Sequence, residues 1–205
     1  MSEQGSEEWF KERLGKVTAS RISDVIAKTK SGWGASRANY MAELIAERLT
    51  ETPAEKYTNA AMQRGLDKEP EACAAYAFHC DAELEEVGFV PHPIIAMSGA
   101  SPDRLVGKFG MAEIKCPNTA THIETLLGAS VPDKYVVQMQ WQMACKPERK
   151  WNDWVSYDPR MPENMRLFVK RVPRDDARIA ELEGLVKDFL AELDQKIVAL
   201  KKIAA

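Results

Sequence analysis

The sequence has no long apolar run. None of its hydrophobic stretches approaches the roughly 20 residues that a membrane-spanning helix needs. Residues 1–5 are polar and acidic, whereas a secretory signal begins with a basic segment followed by an apolar one. We therefore expect a protein without a membrane span that stays in the cytoplasm.

Cysteine and histidine motifs that bind metals are also missing. The three histidines have no partner at a ligand spacing, and the four cysteines form no Cys-x-x-Cys pair. The sequence therefore gives little support for a zinc site. We interpret Cys73, Cys80, Cys116 and Cys145 as small buried side chains that stay reduced in the cytoplasm.

An excess of basic residues is missing too. The chain has 28 Lys and Arg against 31 Asp and Glu, so its formal net charge is −3. Proteins that bind nucleic acid over a wide surface are usually basic, which argues mildly against that class. Nucleic-acid binding at one restricted site is still compatible with this charge, because a bound metal ion offsets an acidic site and basic residues can line one channel.

No internal repeat, low-complexity segment or long linker divides the chain. Of its 205 residues, 45% are hydrophobic and 29% are charged, which is typical of a globular domain with a sizeable core. We therefore interpret residues 1–205 as a single domain.

Helices are predicted before and after a group of strands. The predicted helices are residues 7–14, with Ser6 as N-cap, then 20–28, 59–80, 119–127, 133–145 and 175–203, together with one that Ser36 caps and Pro53 stops. The predicted strands are residues 82–90, 94–98, 151–157, 166–172 and both arms of a hairpin around 106–110, and residues 29–35 are predicted to form a loop. Helices flanking a central mixed sheet place the chain in the α/β class.

Two acidic residues and a lysine form the most informative pattern. They lie in two short segments, Ser101-Pro102-Asp103 and Glu113-Ile114-Lys115-Cys116-Pro117. The turn between them is expected to fold Asp103 back beside Glu113 as half of a β-hairpin. Because strand side chains alternate between faces, Glu113 and Lys115 are predicted to share a solvated face, opposite a face that enters the core. The core-facing residues are Ala112, Ile114 and Cys116.

This pattern suits metal-assisted hydrolysis of a phosphodiester. Two close carboxylates repel each other unless a positive charge lies between them, and hard oxygen ligands of this kind suit Mg²⁺. A lysine beside such a metal can orient or deprotonate a water molecule. The alternative for these residues taken alone is a turn followed by an ordinary solvated strand.

The Pro-Asp and Glu-x-Lys pattern resembles that of the PD-(D/E)XK nuclease superfamily, which implies a nuclease fold with a central mixed sheet flanked by helices. Further segments make the order along the chain similar to that of the phage lambda exonuclease family, the viral alkaline exonucleases or YqaJ-like recombinase nucleases. The resemblance runs from about Trp9 to Val172. These segments are Trp9-Phe10-Lys11-Glu12-Arg13-Leu14-Gly15 with Thr18-Ala19-Ser20, Gly65-Leu66-Asp67-Lys68-Glu69-Pro70, Tyr135-Val136-Val137-Gln138-Met139-Gln140 and Tyr157-Asp158-Pro159-Arg160-Met161.

The resemblance implies roles for the acidic residues and their neighbours. Asp103 would bridge two Mg²⁺ ions, for which Mn²⁺ can substitute. Glu113 and the Ile114 carbonyl would complete one metal site, and Glu69 would also lie at the metal centre. Two residues would act on the nucleophile: Lys115 would position the attacking water, and Gln140 would hydrogen-bond that water or Lys115.

A second group of residues is expected to bind DNA. Arg13 and Ser20 place a guanidinium and a hydroxyl beside a helix start, which is a favourable anion site. The resemblance implies that they and Ser101 hold the 5′-terminal phosphate. The alternative is a surface ion pair for Arg13 and a helix cap for Ser20.

Two further residues are weaker candidates for DNA binding. Lys30 lies in a basic loop that could follow a phosphate backbone, although a solvated loop fits equally well. Met62, like Trp33, could be a wedge where the duplex frays, although packing is the commoner role.

The resemblance implies a processive 5′-to-3′ exonuclease that acts on double-stranded DNA and leaves 3′ overhangs. It also implies a homotrimeric ring and a single-strand annealing recombinase as partner, in a bacterial or phage-infected cell. The residues alone leave two alternative functions open. One is another PD-(D/E)XK nuclease such as an endonuclease, and the other is a non-catalytic DNA-binding module on the same fold.

Overall fold

The computed structural model describes residues 2–54 and 60–203, and for residues 60–62 the backbone only. The helices are α1 (Glu7–Arg13), α2 (Ile22–Val25), α3 (Ala35–Thr50), α4 (Ala60–Cys80), α5 (Thr119–Gly128), α6 (Asp133–Cys145) and α7 (Asp176–Ile203), with 3₁₀ turns at Ala19–Arg21 and Glu163–Met165. The strands are β1 (Val17–Thr18), β2 (Lys28–Thr29), β3 (Gly32–Trp33), β4 (Leu84–Glu85), β5 (Val90–Pro91), β6 (Ser98–Ala100), β7 (Arg104–Val106), β8 (Gly110–Lys115), β9 (Trp151–Tyr157) and β10 (Leu167–Pro173).

A five-stranded mixed sheet forms the centre of the fold. Its strand order is β10-β9-β8-β7-β4, with β8 and β9 parallel and the other pairs antiparallel. A smaller sheet, β1-β6-β5, lies beside it, and β2 and β3 form a separate hairpin. The predicted α/β class with a central mixed sheet is confirmed.

The hairpin that carries the acidic residues forms as predicted. Strands β7 and β8 pair so that Arg104 lies opposite Ala112 and Val106 opposite Gly110. Gly107 has φ +50°, a left-handed conformation that glycine adopts without steric cost. Gly110 is needed for a different reason, since a Cβ there would lie 2.1 Å from the Trp151 ring.

Alternation along β8 sends one set of side chains into the core. Ala112 and Ile114 are buried, and the partly buried Cys116 packs against the same cluster. Their neighbours in this cluster come from α4 and β9, including Tyr76 and Val155. The core-facing half of the prediction for this strand is therefore confirmed.

The long helix α7 closes the other side of the molecule. Its apolar stripe recurs every three or four residues, which is one face of a helix. This stripe packs against α2, α3 and α6 in the largest buried cluster. The buried α7 members of the cluster are Leu182, Val186, Phe189, Leu190 and Leu193.

Several element boundaries differ from the sequence-based expectation. The predicted strands 82–90 and 94–98 are replaced by the short strands β4, β5 and β6, and β5 ends at Pro91, which has no N–H to donate. The predicted helix over 20–28 is a 3₁₀ turn followed by the four-residue α2. The predicted loop 29–35 contains part of the β2–β3 hairpin, and Gly34 rather than Ser36 is the N-cap of α3.

Pro70 lies inside α4, and residue 59, where this helix was predicted to begin, lies outside the described residues. In the part of the chain that the structure describes, no helix has both the length and the apolar character needed to cross a membrane.

Candidate active site

The Lys115 ammonium lies at the centre of the acidic group. Its Nζ is 3.3 Å from Asp103 Oδ2 and 3.1 Å from the Ile114 carbonyl oxygen, and it also contacts Glu113 Oε1. The backbone N–H of Ile114 donates to Asp103 Oδ2 at 2.7 Å, which fixes that carboxylate against β8. Three oxygens from three residues therefore surround one cation.

Glu113 is fully buried, so the predicted solvated face is wrong for this residue. Two amides from α6 satisfy its carboxylate: Gln138 Nε2 donates to Oε1 at 2.7 Å, and Gln142 Nε2 donates to Oε2 at 2.5 Å. The Asn152 amide in turn donates to Gln142 Oε1 at 2.6 Å. Burial becomes tolerable because every charged oxygen has a donor.

The electrostatics of the site depend on this burial. Removal from water, and then the negative charge of Asp103, raises the pKa of Glu113 to about 7. Burial alone would lower the pKa of Lys115, but the carboxylates of Asp103 and Glu113 outweigh it and raise that pKa. Lys115 is therefore an ammonium at neutral pH and carries the only positive charge in direct contact with both carboxylates among the described residues.

Gln140 lies away from this group, contrary to its predicted place beside Lys115. Its Nε2 donates to the Pro173 carbonyl at 2.8 Å, and its Oε1 accepts from the Asp175 N–H at 2.9 Å. Residues two apart lie on different faces of a helix, whereas residues four apart share one. Gln138 and Gln142 therefore face the sheet together, while Gln140 ties α6 to the segment between β10 and α7.

Glu69 stands at the edge of the site. Arg104 Nη1 donates to its Oε1 at 3.1 Å, and the same guanidinium pairs with Glu86 at 3.2 Å. Burial, and then the charge of Asp103, raises the pKa of Glu69 against the opposing effect of Arg104. Over residues 2–54 and 60–203, no three His, Cys, Asp or Glu side chains are grouped closely enough to hold a metal.

A second group of polar side chains lies beside the carboxylates. Arg13 Nη1 and Trp9 Nε1 each donate to Ser101 Oγ at 2.9 Å. The Arg13 guanidinium also lies 4.2 Å from the centre of the Trp9 ring, and burial lowers its pKa. Helix α1 thus presents a fixed guanidinium to the segment that leads from β6 to β7.

One cavity of about 170 Å³ brings the two groups together. Its wall contains the predicted catalytic residues Asp103, Glu113 and Lys115 and the predicted phosphate-binding residues Arg13, Ser20 and Ser101, together with Gln4, Trp9, Ala19 and Gln138. The anion site and the hydrolytic group are therefore two parts of one chamber.

Lys30, a predicted DNA-binding residue, does not line this chamber. Lys30 is exposed at the turn between β2 and β3. The side chain of Met62 lies outside the described residues, and its prediction stays untested.

Comparison with known proteins assigns the chain to a family. The family model described as the YqaJ-like viral recombinase domain matches residues 8–147. The chain belongs to the YqaJ-like viral recombinase family. The predicted family is confirmed, and this YqaJ-like protein falls among DNA nucleases of the alkaline exonuclease type.

Solved structures extend the similarity to the whole fold. Two crystal structures of an alkaline exonuclease from Laribacter hongkongensis, one in complex with dAMP, have TM-scores of 0.91 and 0.92 against this YqaJ-like chain. Each is 54% identical to it over 97% of this chain and 98% of the other. A phage related exonuclease from Haemophilus somnus 129PT shares the fold at 16% identity, with a TM-score of 0.74 over 90% of this chain and 96% of its own. No curated protein gave a significant match.

The oxygens around Lys115 fit a divalent metal ion. Mg²⁺ prefers hard oxygen donors such as carboxylates and backbone carbonyls. The oxygens of Asp103, Glu113 and Ile114 already converge on one cation, the Lys115 ammonium. The donor set of this YqaJ-like nuclease therefore suits Mg²⁺, provided that the ammonium moves away from the point where the oxygens meet.

Sequence reasoning missed four residues of the site, namely Gln4, Trp9, Gln138 and Gln142. Gln4 Nε2 donates to the carbonyls of Val87 and Pro102 and so closes one wall of the cavity. The spacing of four between the two α6 glutamines was a usable signal, because it places both on one helix face. No local pattern marks Gln4, whose contacts are all distant in sequence.

The raised pKa of Glu113 predicts how stability changes with pH in the metal-free protein. The folded state binds a proton on Glu113 more tightly than the unfolded state, so the free energy of unfolding should fall as pH rises from about 4.5 to about 7. Glu113→Gln has no proton to bind and should lose this part of the pH dependence. Urea unfolding at several pH values in chelator measures the difference, and parallel curves for both proteins would contradict it.

Proposed function

We propose that this protein is a Mg²⁺-dependent 5′-to-3′ exonuclease of double-stranded DNA. It digests one strand processively and leaves 3′ single-stranded overhangs for phage-type recombination by strand annealing. Residues 1–205 act as a single nuclease domain in the cytoplasm of a bacterium or a phage-infected cell. The observation that carries the proposal is the chamber that holds Asp103, Lys115 and Arg13 together.

The hydrolytic half of the chamber would hold the metal. Asp103, Glu113 and the Ile114 carbonyl would hold Mg²⁺, or Mn²⁺ in its place, and Glu69 would join them as a ligand of a second ion once it leaves Arg104. Bound metal would supply polarisation of the scissile phosphate and a lower pKa for a coordinated water. Lys115, released from the carboxylates, would orient the attacking water and stabilise negative charge that develops at phosphorus.

The remaining polar groups of this half have a supporting role. Gln138 and Gln142 of α6 would hold the Glu113 carboxylate in one orientation.

The other half of the chamber would recognise the end of the strand. Arg13 is oriented by Ser101 and Trp9, and Ser20 lies beside it on the same wall. A guanidinium with neighbouring hydroxyls is a strong binder of a phosphate dianion. An anion site at a fixed position from the hydrolytic group favours cleavage beside a 5′-phosphorylated end, because a terminal phosphate dianion carries more negative charge than an internal phosphodiester.

Relatives support this reading of the chamber. The Laribacter hongkongensis protein is called an alkaline exonuclease and has been crystallised with dAMP, a nucleoside monophosphate of the kind an exonuclease releases. The 54% identity extends over nearly the whole of both chains. An exonuclease is therefore favoured over an endonuclease or a non-catalytic module.

Asp103→Asn should reduce digestion of linear duplex DNA by ~10²–10³-fold or more, because the amide keeps the shape of the side chain but removes a negative ligand. Release of acid-soluble nucleotides in Mg²⁺ measures the rate, and a chelator should stop the wild type. The exposed Asp67→Asn is a matched control that should keep full activity. Digestion by Asp103→Asn at the wild-type rate would refute the site, and cutting of closed circular DNA would favour an endonuclease.

Arg13→Ala should remove the preference for phosphorylated ends. The substitution deletes the Arg13 guanidinium from the wall of the hydrolytic chamber, while the Asp103 and Lys115 side remains in place. Initial rates on otherwise identical duplexes with 5′-phosphate or 5′-hydroxyl ends should become nearly equal. An undiminished preference in the variant would show that Arg13 does not read the terminal phosphate.

A ring-shaped homotrimer would explain processive digestion by a chain of net charge −3. Non-specific affinity for DNA comes largely from Lys and Arg, so an acidic open surface holds DNA poorly. Enclosing the duplex prevents dissociation by topology, and the overhang would pass to a single-strand annealing recombinase. Light scattering should give about three times the 23.0 kDa chain mass, and a monomer that digests kilobases in one binding event would refute the ring.

A further inference from the structure

A second cavity adjoins the active-site chamber. It measures about 630 Å³, several times the 170 Å³ of the chamber itself. Arg13 and Ser20 line both, so these two side chains form the boundary between them. The hydrolytic group lies on one side of this boundary, and the proposed reaction makes no use of the other side.

The wall of the larger cavity is net positive. Three basic side chains line it, those of Arg13, Lys16 and Arg21, together with the carboxylates of Glu43 and Glu47. Arg21 Nη1 donates to both oxygens of Glu43 at 3.0 Å, so this carboxylate is already neutralised.

Glu47 is hydrogen-bonded but keeps its negative charge, and Lys16 has no carboxylate partner among the described residues. The Glu47 oxygens accept from the backbone N–H groups of Gly15 at 2.8 Å and Ala54 at 3.1 Å. Lys16 Nζ lies 5.2 Å from the centre of the Phe89 ring and has no ion pair within the described part of the chain. Three basic side chains against two carboxylates leave the wall with a net positive charge, so a polyanion entering this cavity would be attracted to Arg13 and Lys16.

Much of the remaining wall is apolar or aromatic. Such surfaces accept the sugars and bases of single-stranded DNA without regard to sequence, while a cationic group follows the backbone. The apolar and aromatic residues of the wall are Phe10, Leu14, Tyr40, Leu44, Pro53 and Ala54.

We propose that this larger cavity binds the unpaired 5′ tail of the strand being digested. The inference rests on the proposed exonuclease function and adds a substrate class to it, namely duplexes with short 5′ tails. An internal phosphodiester can occupy the same guanidinium as a terminal phosphate, since both present anionic oxygens. The first nucleotides of a tailed strand would thus lie past Arg13, in the larger cavity. An internal phosphate of the same strand would lie beside Lys115.

The cut on such a strand releases a short oligonucleotide. The water oxygen bonds to phosphorus, the bond from phosphorus to the 3′ oxygen breaks, and that oxygen takes up a proton. The released piece ends in a 3′-hydroxyl, and the remaining strand keeps the 5′-phosphate. On a blunt end the terminal phosphate binds at Arg13, and a mononucleotide leaves instead.

The test compares two duplexes with a radioactive 5′-phosphate, one blunt and one with two unpaired thymidines at the labelled end. In Mg²⁺, the wild type should release a labelled mononucleotide from the blunt end. From the tailed end it should release labelled pieces of two or more nucleotides. Ala54→Trp places a bulky ring in the larger cavity, and Lys16→Gln removes one positive charge from its wall. Each should lower the ratio of oligonucleotide to mononucleotide from tailed DNA by about tenfold.

The control variant places the same bulky ring outside the wall of the larger cavity. Ala199→Trp adds the same ring on the exposed side of α7 and should leave the ratio unchanged. Release of mononucleotides alone from tailed DNA by the wild type would overturn the inference, as would an unaltered ratio in Lys16→Gln. Failure of the wild type to digest even the blunt duplex would instead overturn the proposed function, and this inference with it.

Discussion

The ion cluster of Asp103, Glu113 and Lys115 is the constraint on which the site depends. A carboxylate removed from water is costly unless it is paired and hydrogen-bonded, and Glu113 is fully buried. Its partners come from two elements, the ammonium from β8 and the amides of Gln138 and Gln142 from α6. Helix α6 must therefore lie across the sheet at one axial position and with one rotation about its own axis.

The need to hydrogen-bond the buried Glu113 carboxylate also involves a neighbouring strand. Gln142 can donate to Glu113 in a fixed orientation because Asn152 of β9 occupies its oxygen. Asp153, the next residue, points to the other face of the sheet, where it accepts from Tyr76 at 2.8 Å and pairs with Arg171 at 2.8 Å. Strand β9 thus anchors α6 on one face and α4 on the other, and α4 carries Glu69 to the edge of the site.

The cluster also links stability to chemistry. Replacing a buried ionic group by apolar residues is often neutral or stabilising in proteins, so a cluster of this kind is not explained by stability alone. Here its oxygens coincide with the donors that a divalent metal prefers, and the balancing charge resides on a flexible side chain. The ammonium that neutralises the oxygens in the metal-free protein is also the group proposed to orient the attacking water.

The sequence by itself determined the hairpin, the long helices and the identity of the central charged residues. These features follow from short-range rules: alternation along β8, a glycine-containing turn, and apolar spacing that predicted a helix over 175–203, where α7 lies. Only the tertiary structure decided that Glu113 is buried, that Gln138 and Gln142 rather than Gln140 reach it, and that Gln4 closes the chamber. Those facts depend on the rotation of one element against another and on contacts nearly 100 residues apart, which no local pattern encodes.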